Sequence, residues 1–279
     1  MLKRLLSTGL NYLRGNALVG PNLIVYPDDV FLVSYPRSGN TWTRFLLANL
    51  VYRDQPATFV NIDRRIADIY VQSQLSLLRL PRPRILKSHQ PFDPRYRKVI
   101  YVVRDPRDVA ISFYYYNLKR RHIADEYPIE RFVSNFVRGG WEPALGSWAE
   151  NVTSWLAVRY SMPSFLLLRY EDLLEDTMRE LGTISRFLGL CATPDEISRA
   201  VELSSADRMR ALEKARWVGG NHRGQHLRRD IMFVRTAKSG EWRSGLPGSA
   251  EAEIESAWGT VMEELGYKLN TVRTAREPA

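Results

Sequence analysis

Short apolar runs alternate with longer segments of helical periodicity along most of the chain. The short runs hold few polar residues, a pattern typical of strands that are buried on both faces of a sheet. They cover residues 30–34, 84–87, 98–103 and 164–169. In the longer segments apolar residues recur every three or four positions, which predicts helices. These segments cover residues 41–52, 106–121, 144–160 and 177–188.

This alternation of strands and helices determines the predicted architecture. Successive parallel strands need crossover helices, which cover both faces of the sheet. We therefore predict an α/β fold with three layers, α/β/α, around a central and mainly parallel sheet. No repeat, low-complexity tract or linker rich in Pro, Gly and Ser divides the chain, so we expect one domain over residues 1–279. Ligands of such folds bind at the carboxyl ends of the strands, so the site is expected there.

Composition excludes several classes of protein. The chain has 279 residues, of which 44% are hydrophobic and 25% charged, and this excludes a disordered or fibrous protein. The single cysteine, Cys191, can form neither an internal disulfide nor a zinc framework, so no metal is expected. No run of ~18 apolar residues is present, so we expect a cytoplasmic protein without stable membrane insertion.

The excess of basic residues is the unusual feature of the composition. Lys and Arg number 40 against 31 Asp and Glu, for a formal charge of +9. Such a charge suits a nucleic acid, a membrane surface or a polyanionic small ligand, and net charge alone does not choose among them. The basic residues are spread along the chain instead of forming one basic and aromatic stripe, which disfavours nucleic acid.

The segment after the first predicted strand has the features of an anion-binding turn. Residues 35–42 read Tyr-Pro-Arg-Ser-Gly-Asn-Thr-Trp and lead into a helix. Such a turn offers unpaired backbone N–H groups and the positive end of the helix dipole to a phosphate or sulfate. A Walker A loop would need a lysine after Gly39, but Asn40 stands there, and Arg37 supplies the cation instead. The alternative is a helix-capping turn with a surface arginine.

Further candidate residues follow the second and third predicted strands. Lys87 and His89 come at the end of the second strand, and an imidazole there is suited to act as a general base. Arg104 follows the third strand, just before a helix that offers a second anion site. Asp105 and Asp108 are either magnesium ligands or, as we prefer, capping and ion-pairing residues.

Two later segments complete the candidate site. Tyr170 follows the fourth predicted strand, where its ring either stacks on a base or belongs to the core. Residues 214–240 mix glycines and arginines without periodicity, which predicts a basic, lid-like loop. Arg235 and Lys238 lie near its end as a second cationic clamp or as solvated residues.

Taken together, these segments resemble the cytosolic-type sulfotransferases that use 3′-phosphoadenosine 5′-phosphosulfate (PAPS). The resemblance rests on the order and spacing of the motifs over residues 28–267. The motifs are residues 35–42, Lys-Ser-His at 87–89, Arg104 with Ser112, Tyr-Glu-Asp at 170–172, and Arg235 before Gly-Glu-Trp at 240–242. The resemblance implies a P-loop-like nucleotide-binding fold and PAPS as the donor, with adenosine 3′,5′-bisphosphate (PAP) as the product and no metal.

The resemblance also implies a role for each matching residue. The 5′-phosphate and sulfuryl group would be held by Arg37, Ser38, Gly39, Asn40 and Thr41. The 3′-phosphate would be held by Arg104, Ser112 and Arg235. The adenine would lie near Trp42, Tyr170 and Ser204. His89 would be the catalytic base, and Arg37 and Lys87 would stabilise charge on the transferred group and the leaving phosphate.

The sequence departs from the family pattern at three positions. Arg37 stands where lysine is common, which spreads the charge over a planar fork. Arg235 is followed by Thr236 and Ala237 instead of Lys-Gly, and Lys238 is a candidate to compensate. Residues 245–248 read Gly-Leu-Pro-Gly and lack the family's small dimer motif, so a family-style dimer is not expected and the oligomeric state stays open.

The predicted reaction is in-line transfer of a sulfuryl group from PAPS to a hydroxyl or phenol of a small-molecule acceptor. Two alternatives belong to other classes. A magnesium-dependent nucleotide phosphotransferase would use Asp105 or Asp108 as metal ligands. A nucleotide or nucleic-acid binder without catalysis would use only the positive charge. The acceptor itself is not determined by the sequence, and glycans and lipids remain candidates.

Overall fold

The computed structural model describes residues 20–218 and 227–270, and within them one parallel sheet organises the chain. Its strands are β1 (Val30–Ser34), β2 (Ile66–Asp68), β3 (Ile85–Ser88), β4 (Lys98–Val103) and β5 (Phe165–Arg169). In the described part of the chain, they form one five-stranded sheet in the order β2-β3-β1-β4-β5, and every pair is parallel. The predicted α/β architecture with a central, mainly parallel sheet is confirmed.

Most of the strands were predicted nearly to the residue, but one was missed. β1 and β4 have the predicted bounds, whereas β3 and β5 each begin one residue later than expected. β2 was not predicted, because it has only three residues and the charged segment 63–65 precedes it. It is the outermost strand of the sheet, beside β3. Its last residue, Asp68, lies on the side of the sheet where the carboxyl ends of the strands meet.

Each strand of the sheet contributes to two hydrophobic cores. Phe31 and Leu32 are neighbours in β1 and both fully buried, yet they pack into different clusters because successive side chains point to opposite faces. On the first face the ring of Phe31 stacks on Tyr96 with 3.5 Å between centroids. This burial on both faces explains why the strands are continuous apolar runs.

Helices cover both faces of the sheet. Those in the first half are α1 (Asn40–Val51), α2 (Ile62–Arg65), α3 (Gln74–Leu78), α4 (Pro106–Lys119) and α5 (Ile129–Val137). Those in the second half are α6 (Trp148–Arg159), α7 (Tyr170–Glu175), α8 (Thr177–Leu188), α9 (Pro194–Leu203), α10 (Ala206–Val218), α11 (Trp242–Gly245) and α12 (Gly248–Glu264). No helix in residues 20–218 or 227–270 is long and apolar enough to cross a membrane.

The helix predicted over 144–160 begins later than expected, and its cap explains why. α6 starts at Trp148, because the Ser147 hydroxyl accepts a hydrogen bond from the Glu150 N–H while the Glu150 carboxylate accepts one from the Ser147 N–H. Gly146 has a φ of 72°, a left-handed conformation that ends any helix arriving from the preceding residues. The prediction over 106–121 was also too long by two residues, since α4 ends at Lys119.

The predicted lid-like loop over 214–240 needs a correction. Residues 214–218 belong to α10, so the first part of the segment is helical. Residues 219–226 lie outside the described residues. The remaining part, residues 227–240, has no regular secondary structure. It is hydrogen-bonded to the end of α4, where the Lys119 carbonyl accepts from the Arg228 N–H at 2.9 Å.

Candidate active site

A cavity of about 800 Å³ lies at the edge where β1, β3, β4 and β5 end. It is lined by most of the residues that the sequence singled out. These are Arg37, Gly39, Asn40, Thr41, Trp42, Lys87, His89, Arg104, Ser112, Tyr170, Ser204 and Arg235. Among the described site residues, Ser38 and Lys238 lie outside this lining. One cavity therefore brings together residues that are up to about two hundred positions apart in the sequence.

The turn after β1 is built to present backbone N–H groups. Arg37 and Gly39 both have left-handed backbones, with φ of 70° and 96°. α1 begins directly after Gly39, which has no side chain to cap the helix. The Asn40 amide donates to the Ser34 hydroxyl at 3.1 Å and so ties the start of the helix to the end of β1. Uncapped N–H groups at a helix N-terminus suit a phosphate or sulfate.

The His89 ring has a defined tautomer. Its Nδ1 lies 2.7 Å from the Ser34 carbonyl oxygen, which can only accept a hydrogen bond. Nδ1 therefore carries the proton, and the lone pair is on Nε2. The Tyr70 hydroxyl accepts a hydrogen bond from the His89 N–H at 2.9 Å, and the two rings stack with 5.9 Å between centroids. Ring and backbone are thus both fixed, with a basic nitrogen available.

The surroundings of His89 keep the imidazole neutral. Burial away from water lowers the pKa of His89 to about 3, and the nearby positive charge of Lys87 lowers the pKa in the same direction. The hydrogen bond to Ser34 acts in the opposite direction but is the weaker effect. At neutral pH the ring is therefore uncharged, and Nε2 can accept a proton directly.

Lys87 forms an ion pair with a residue that the sequence did not single out. Its ammonium donates to Asp68 Oδ2 at 2.8 Å, and both side chains are mostly buried. Burial lowers the pKa of Lys87, and the charge of Asp68 raises it again. Asp68 ends β2 at the same edge of the sheet, so missing this short strand also hid its carboxylate.

The Arg37 side chain contacts residues outside its own turn. Its guanidinium lies over the rings of Tyr116 and Phe233, at 4.7 and 4.6 Å, and its Nε donates to the Ser112 hydroxyl at 3.2 Å. Burial lowers the pKa of Arg37 to about 10, so it stays charged at neutral pH. Arg37 therefore touches a residue predicted for the 3′-phosphate, although the turn that carries it was predicted for the 5′-phosphate.

Arg104 joins three segments of the site. It donates to the carbonyl oxygens of Arg37 and Lys238, at 3.4 and 2.9 Å, and its guanidinium lies over the Tyr170 ring at 4.4 Å. Lys238 thus contributes its backbone oxygen here. In the described residues, the buried Arg104 Nε and the buried Ser38 hydroxyl have no hydrogen-bond partner. Unpaired buried donors are costly, so this site fits an oxygen-rich anion such as the phosphates of PAPS.

Asp105 and Asp108 are engaged with other parts of the protein. The Asp105 carboxylate pairs with Arg107 at 2.7 Å and caps the start of α4. The Asp108 carboxylate accepts hydrogen bonds from the N–H groups of Gly240 and Trp242, at 2.7 and 3.1 Å. These contacts favour the capping and ion-pairing interpretation of both aspartates.

Arg235 reaches the cavity already paired with an acidic residue. Its two terminal nitrogens donate to the two carboxylate oxygens of Glu241, at 2.7 and 2.5 Å. The Thr236 hydroxyl donates to the same carboxylate at 2.7 Å. The Glu241 carboxylate therefore occupies the face of Arg235 that a phosphate would use.

Trp42, Tyr170 and Ser204 form the other end of the cavity. The Trp42 indole N–H donates to the Ser204 carbonyl oxygen at 3.0 Å, and the Trp42 and Tyr170 rings meet edge to face at 5.8 Å between centroids. The Ser204 hydroxyl is fully buried and accepts a hydrogen bond from Asn49 at 2.9 Å. Tyr170 is buried in the core and also lines the cavity, so its two possible positions, in the core and at the site, do not exclude each other.

Several lining residues had not been identified from the sequence. Among them are Asp68, Tyr70 and Glu142. Asp68 ends β2 and Tyr70 follows it, so a correct assignment of this strand would have pointed to both residues. Glu142 lies between α5 and α6, where no strand end marks it.

The chain is similar to known proteins of one enzyme family. A family model described as Sulfotransferase domain matches residues 27–266. The chain is 31% identical to 3-beta-hydroxysteroid sulfotransferase of Cavia porcellus, with 90% of this chain and 89% of the relative covered. It is 29% identical to Sulfotransferase 2B1 of Mus musculus, with 84% and 71% covered. The crystal structure of a retinol dehydratase in complex with retinol and PAP is 25% identical, with a TM-score of 0.70 and 96% and 88% covered.

Proposed function

The chain belongs to the sulfotransferase domain family and is a PAPS-dependent sulfotransferase, and we propose that it transfers the sulfuryl group in line to a hydroxyl of a small-molecule acceptor, with His89 as the general base. The acceptor is an alcohol or phenol that enters the cavity beside His89. Relatives named for a hydroxysteroid and a structure with bound retinol support a small acceptor. We further propose that the protein acts in the cytoplasm.

The observation that carries this proposal is the hydrogen bond between His89 Nδ1 and the Ser34 carbonyl. It holds the lone pair on Nε2, and it does so at the end of the strand that leads into the anion-binding turn. A base must lie within hydrogen-bond reach of the proton that it removes, and base and turn line the same cavity. One strand end thus orients the ring of His89 and would also orient the group to be transferred.

The other residues of the site have three tasks in this mechanism. PAPS supplies the sulfuryl group. The turn from Ser38 to Thr41 would hold its 5′ end through backbone N–H groups. Lys87 would stabilise the negative charge that grows on the transferred oxygens, a kind of contact whose loss costs on the order of 10²–10³-fold in kcat. Arg104 and Ser112, together with Arg235, would hold the 3′-phosphate.

A transfer assay with a ³⁵S-labelled donor tests the proposal. Pooled alcohol, phenol, amine and glycan acceptors are offered to the wild type and to His89→Asn, in which the side-chain amide can still donate to Ser34. We expect transfer to a hydroxyl acceptor without ATP, and a loss of about 10²–10⁴-fold in kcat for His89→Asn with unchanged affinity for PAP. His122→Asn is the control, because His122 lies outside the cavity lining.

Other outcomes of this assay would contradict the proposal in distinguishable ways. Turnover of His89→Asn within a few-fold of the wild type would exclude His89 as the base. Turnover with ATP that depends on magnesium would indicate the phosphotransferase. Tight binding of PAP without transfer to any acceptor would indicate a nucleotide binder.

A further inference from the structure

Glu142 lines the cavity with an unpaired carboxylate. Its side chain is half-buried, and within residues 20–218 and 227–270 it forms no hydrogen bond or ion pair. Nearly every other charged side chain of the lining is paired, as Lys87 is with Asp68 and Arg235 with Glu241. A half-buried charge without a partner is unfavourable unless a ligand supplies one.

The hydrogen bonds of Asn151 locate Glu142 close to the base. The Asn151 amide donates to the carbonyl oxygens of both His89 and Leu145, at 3.0 and 3.3 Å. The Leu145 N–H in turn donates to the Glu142 carbonyl at 2.8 Å, which closes a tight turn. One amide therefore holds the backbone of His89 next to the turn that carries Glu142. These contacts bring the backbone of Glu142 toward the His89 end of the cavity, where the acceptor is proposed to enter.

The turn that carries Glu142 is fixed on both sides. On one side, the Trp141 ring stacks on Phe132 with 4.5 Å between centroids, and its indole N–H donates to the Phe132 carbonyl at 3.0 Å. On the other side, Ser147 caps α6, and Gly139 packs so closely that an added Cβ would lie 2.8 Å from the Ser147 nitrogen. The backbone of Glu142 is therefore held in the cavity wall by neighbouring residues and not by contacts of the Glu142 side chain.

Burial and two nearby positive charges act on the Glu142 carboxylate in opposite directions. Burial raises the pKa of Glu142, whereas the positive charges of Arg120 and Lys87 lower it. Both cations already have contacts, Lys87 with Asp68 and Arg120 with the Tyr116 hydroxyl. An ammonium group on a bound ligand would gain a charge-assisted hydrogen bond to the free carboxylate, and this is about twice as strong as a neutral one.

We propose that Glu142 selects acceptors that carry an ammonium group as well as the reacting hydroxyl. This inference rests on the proposed function, since it concerns the acceptor end of the same cavity. The Glu142 carboxylate binds the ammonium, and the hydroxyl is held at His89 Nε2. The aromatic and aliphatic walls supplied by Tyr70, Phe113 and Leu145 enclose the carbon skeleton between these two polar groups.

Matched pairs of acceptors test this selectivity. One pair is 4-(2-aminoethyl)phenol and 4-ethylphenol, and a second is 3-(aminomethyl)benzyl alcohol and 3-methylbenzyl alcohol. For each pair, the ratio of kcat/KM between the amine and its uncharged partner is measured at pH 7.5, where the amine is protonated. We expect a ratio of roughly 10 to 100 in the wild type, as one charge-assisted hydrogen bond provides.

Three variants distinguish the effect of the Glu142 carboxylate on this ratio from other effects of substitution. Glu142→Gln should reduce the ratio to within about threefold of one, and Glu142→Asp should keep most of it, because the charge remains. Glu126→Gln removes the same charge from an exposed position outside the cavity lining and should leave the ratio unchanged.

The outcomes that overturn this inference differ from those that overturn the proposed function. Efficient transfer to the uncharged members with a ratio near one in the wild type would exclude selection by Glu142. A high ratio that survives in Glu142→Gln would also exclude it, because another group would then bind the ammonium. No transfer to any acceptor, with PAP bound, would overturn the proposed function and this inference together.

Discussion

The ring of Tyr170 lies directly against Gly39. A Cβ added to Gly39 would lie 2.8 Å from Tyr170 Cε2 and closer still to Cδ2. Gly39 also has a φ of 96°, a backbone conformation that L side chains rarely adopt. The end of β5 and the anion-binding turn after β1 therefore meet at a point where only glycine fits.

This contact predicts that Gly39→Ala weakens donor binding. The new methyl group would push the turn away from Tyr170, and the N–H groups proposed to hold the 5′-phosphate would move with it. Each hydrogen bond to a charged group contributes about 1.5–3 kcal/mol, so losing one should weaken PAP binding by about 10–100-fold. Isothermal titration calorimetry with PAP measures this change.

Gly189→Ala is a matched control for this prediction. Gly189 has a φ of 76° at the end of α8, but no atom lies within 4 Å of an added Cβ. The control should lose about 1–2 kcal/mol of folding free energy from the left-handed backbone and keep the affinity for PAP. Equal affinities for PAP in both variants would show that the turn does not hold the donor.

Substitution of Arg235 and substitution of Glu241 should change the affinity for PAP in opposite directions. Glu241 occupies both terminal nitrogens of Arg235, so a phosphate must share or replace this carboxylate. Arg235→Gln should weaken PAP binding by about 10–100-fold, whereas Glu241→Gln should strengthen it several-fold because the competing anion is gone. Adenosine 5′-monophosphate lacks the 3′-phosphate, so its affinity should change by less than about twofold in either variant.

Arg243→Gln controls for the loss of a nearby positive charge. Arg243 is exposed, stacks on Trp242 and lies outside the cavity lining. Its substitution should change the affinities for both nucleotides alike and only slightly. If Arg235→Gln weakened adenosine 5′-monophosphate as much as PAP, then Arg235 would not recognise the 3′-phosphate.

The sheet was predictable because its strands are buried on both faces. β1 and β4 are continuous apolar runs whose ends are marked by polar residues, so sequence alone located them to the residue. β2 gives no such signal, since a strand of three residues at the edge of the sheet needs only a short apolar stretch. The parallel topology also placed the ends of the longer strands at one edge, and with them most of the candidate site.

The directions of individual side chains were not predictable from the sequence. The left-handed backbone of Arg37 turns its guanidinium toward Tyr116 and Ser112, and no pattern in a sequence encodes a positive φ at an arginine. Likewise, the contact that Lys238 makes with Arg104 comes from its backbone oxygen. Glu142 lies in a turn without periodicity, and its place near His89 depends on a hydrogen bond from Asn151, which lies in the next helix.

The ion pair between Lys87 and Asp68 predicts a shift in the alkaline limit of activity. Burial lowers the pKa of Lys87 and Asp68 raises it, so Asp68→Asn should lower this pKa further. The ammonium would then lose its proton at a lower pH, and kcat/KM should decline at a lower pH than in the wild type. The pH profile of transfer to a saturable acceptor measures this shift.

Lys87→Arg in the Asp68→Asn background is the control for this profile. A guanidinium keeps its proton over the whole range, so the shifted decline should disappear even if the rate is lower. A profile of Asp68→Asn that coincides with the wild type would mean that the charge of Lys87 is not needed for the reaction.

The neutral state of His89 predicts a loss of stability in acid. The pKa of His89 is about 3 in the folded protein, against about 6.5 in an unfolded chain. Between these values the unfolded state binds a proton that the folded state does not, so the free energy of unfolding falls as the pH decreases below about 6.5. At pH 5 this single group should contribute a loss of about 2 kcal/mol relative to pH 7.

His89→Gln removes the titrating ring, so its free energy of unfolding by urea should decline less between pH 7 and pH 5 than that of the wild type. His122→Gln is the matched control, because it makes the same replacement at an exposed histidine outside the cavity lining. Equal slopes for the wild type and His89→Gln would show that His89 takes up a proton in the folded protein as readily as in the unfolded chain, which would contradict the lowered pKa.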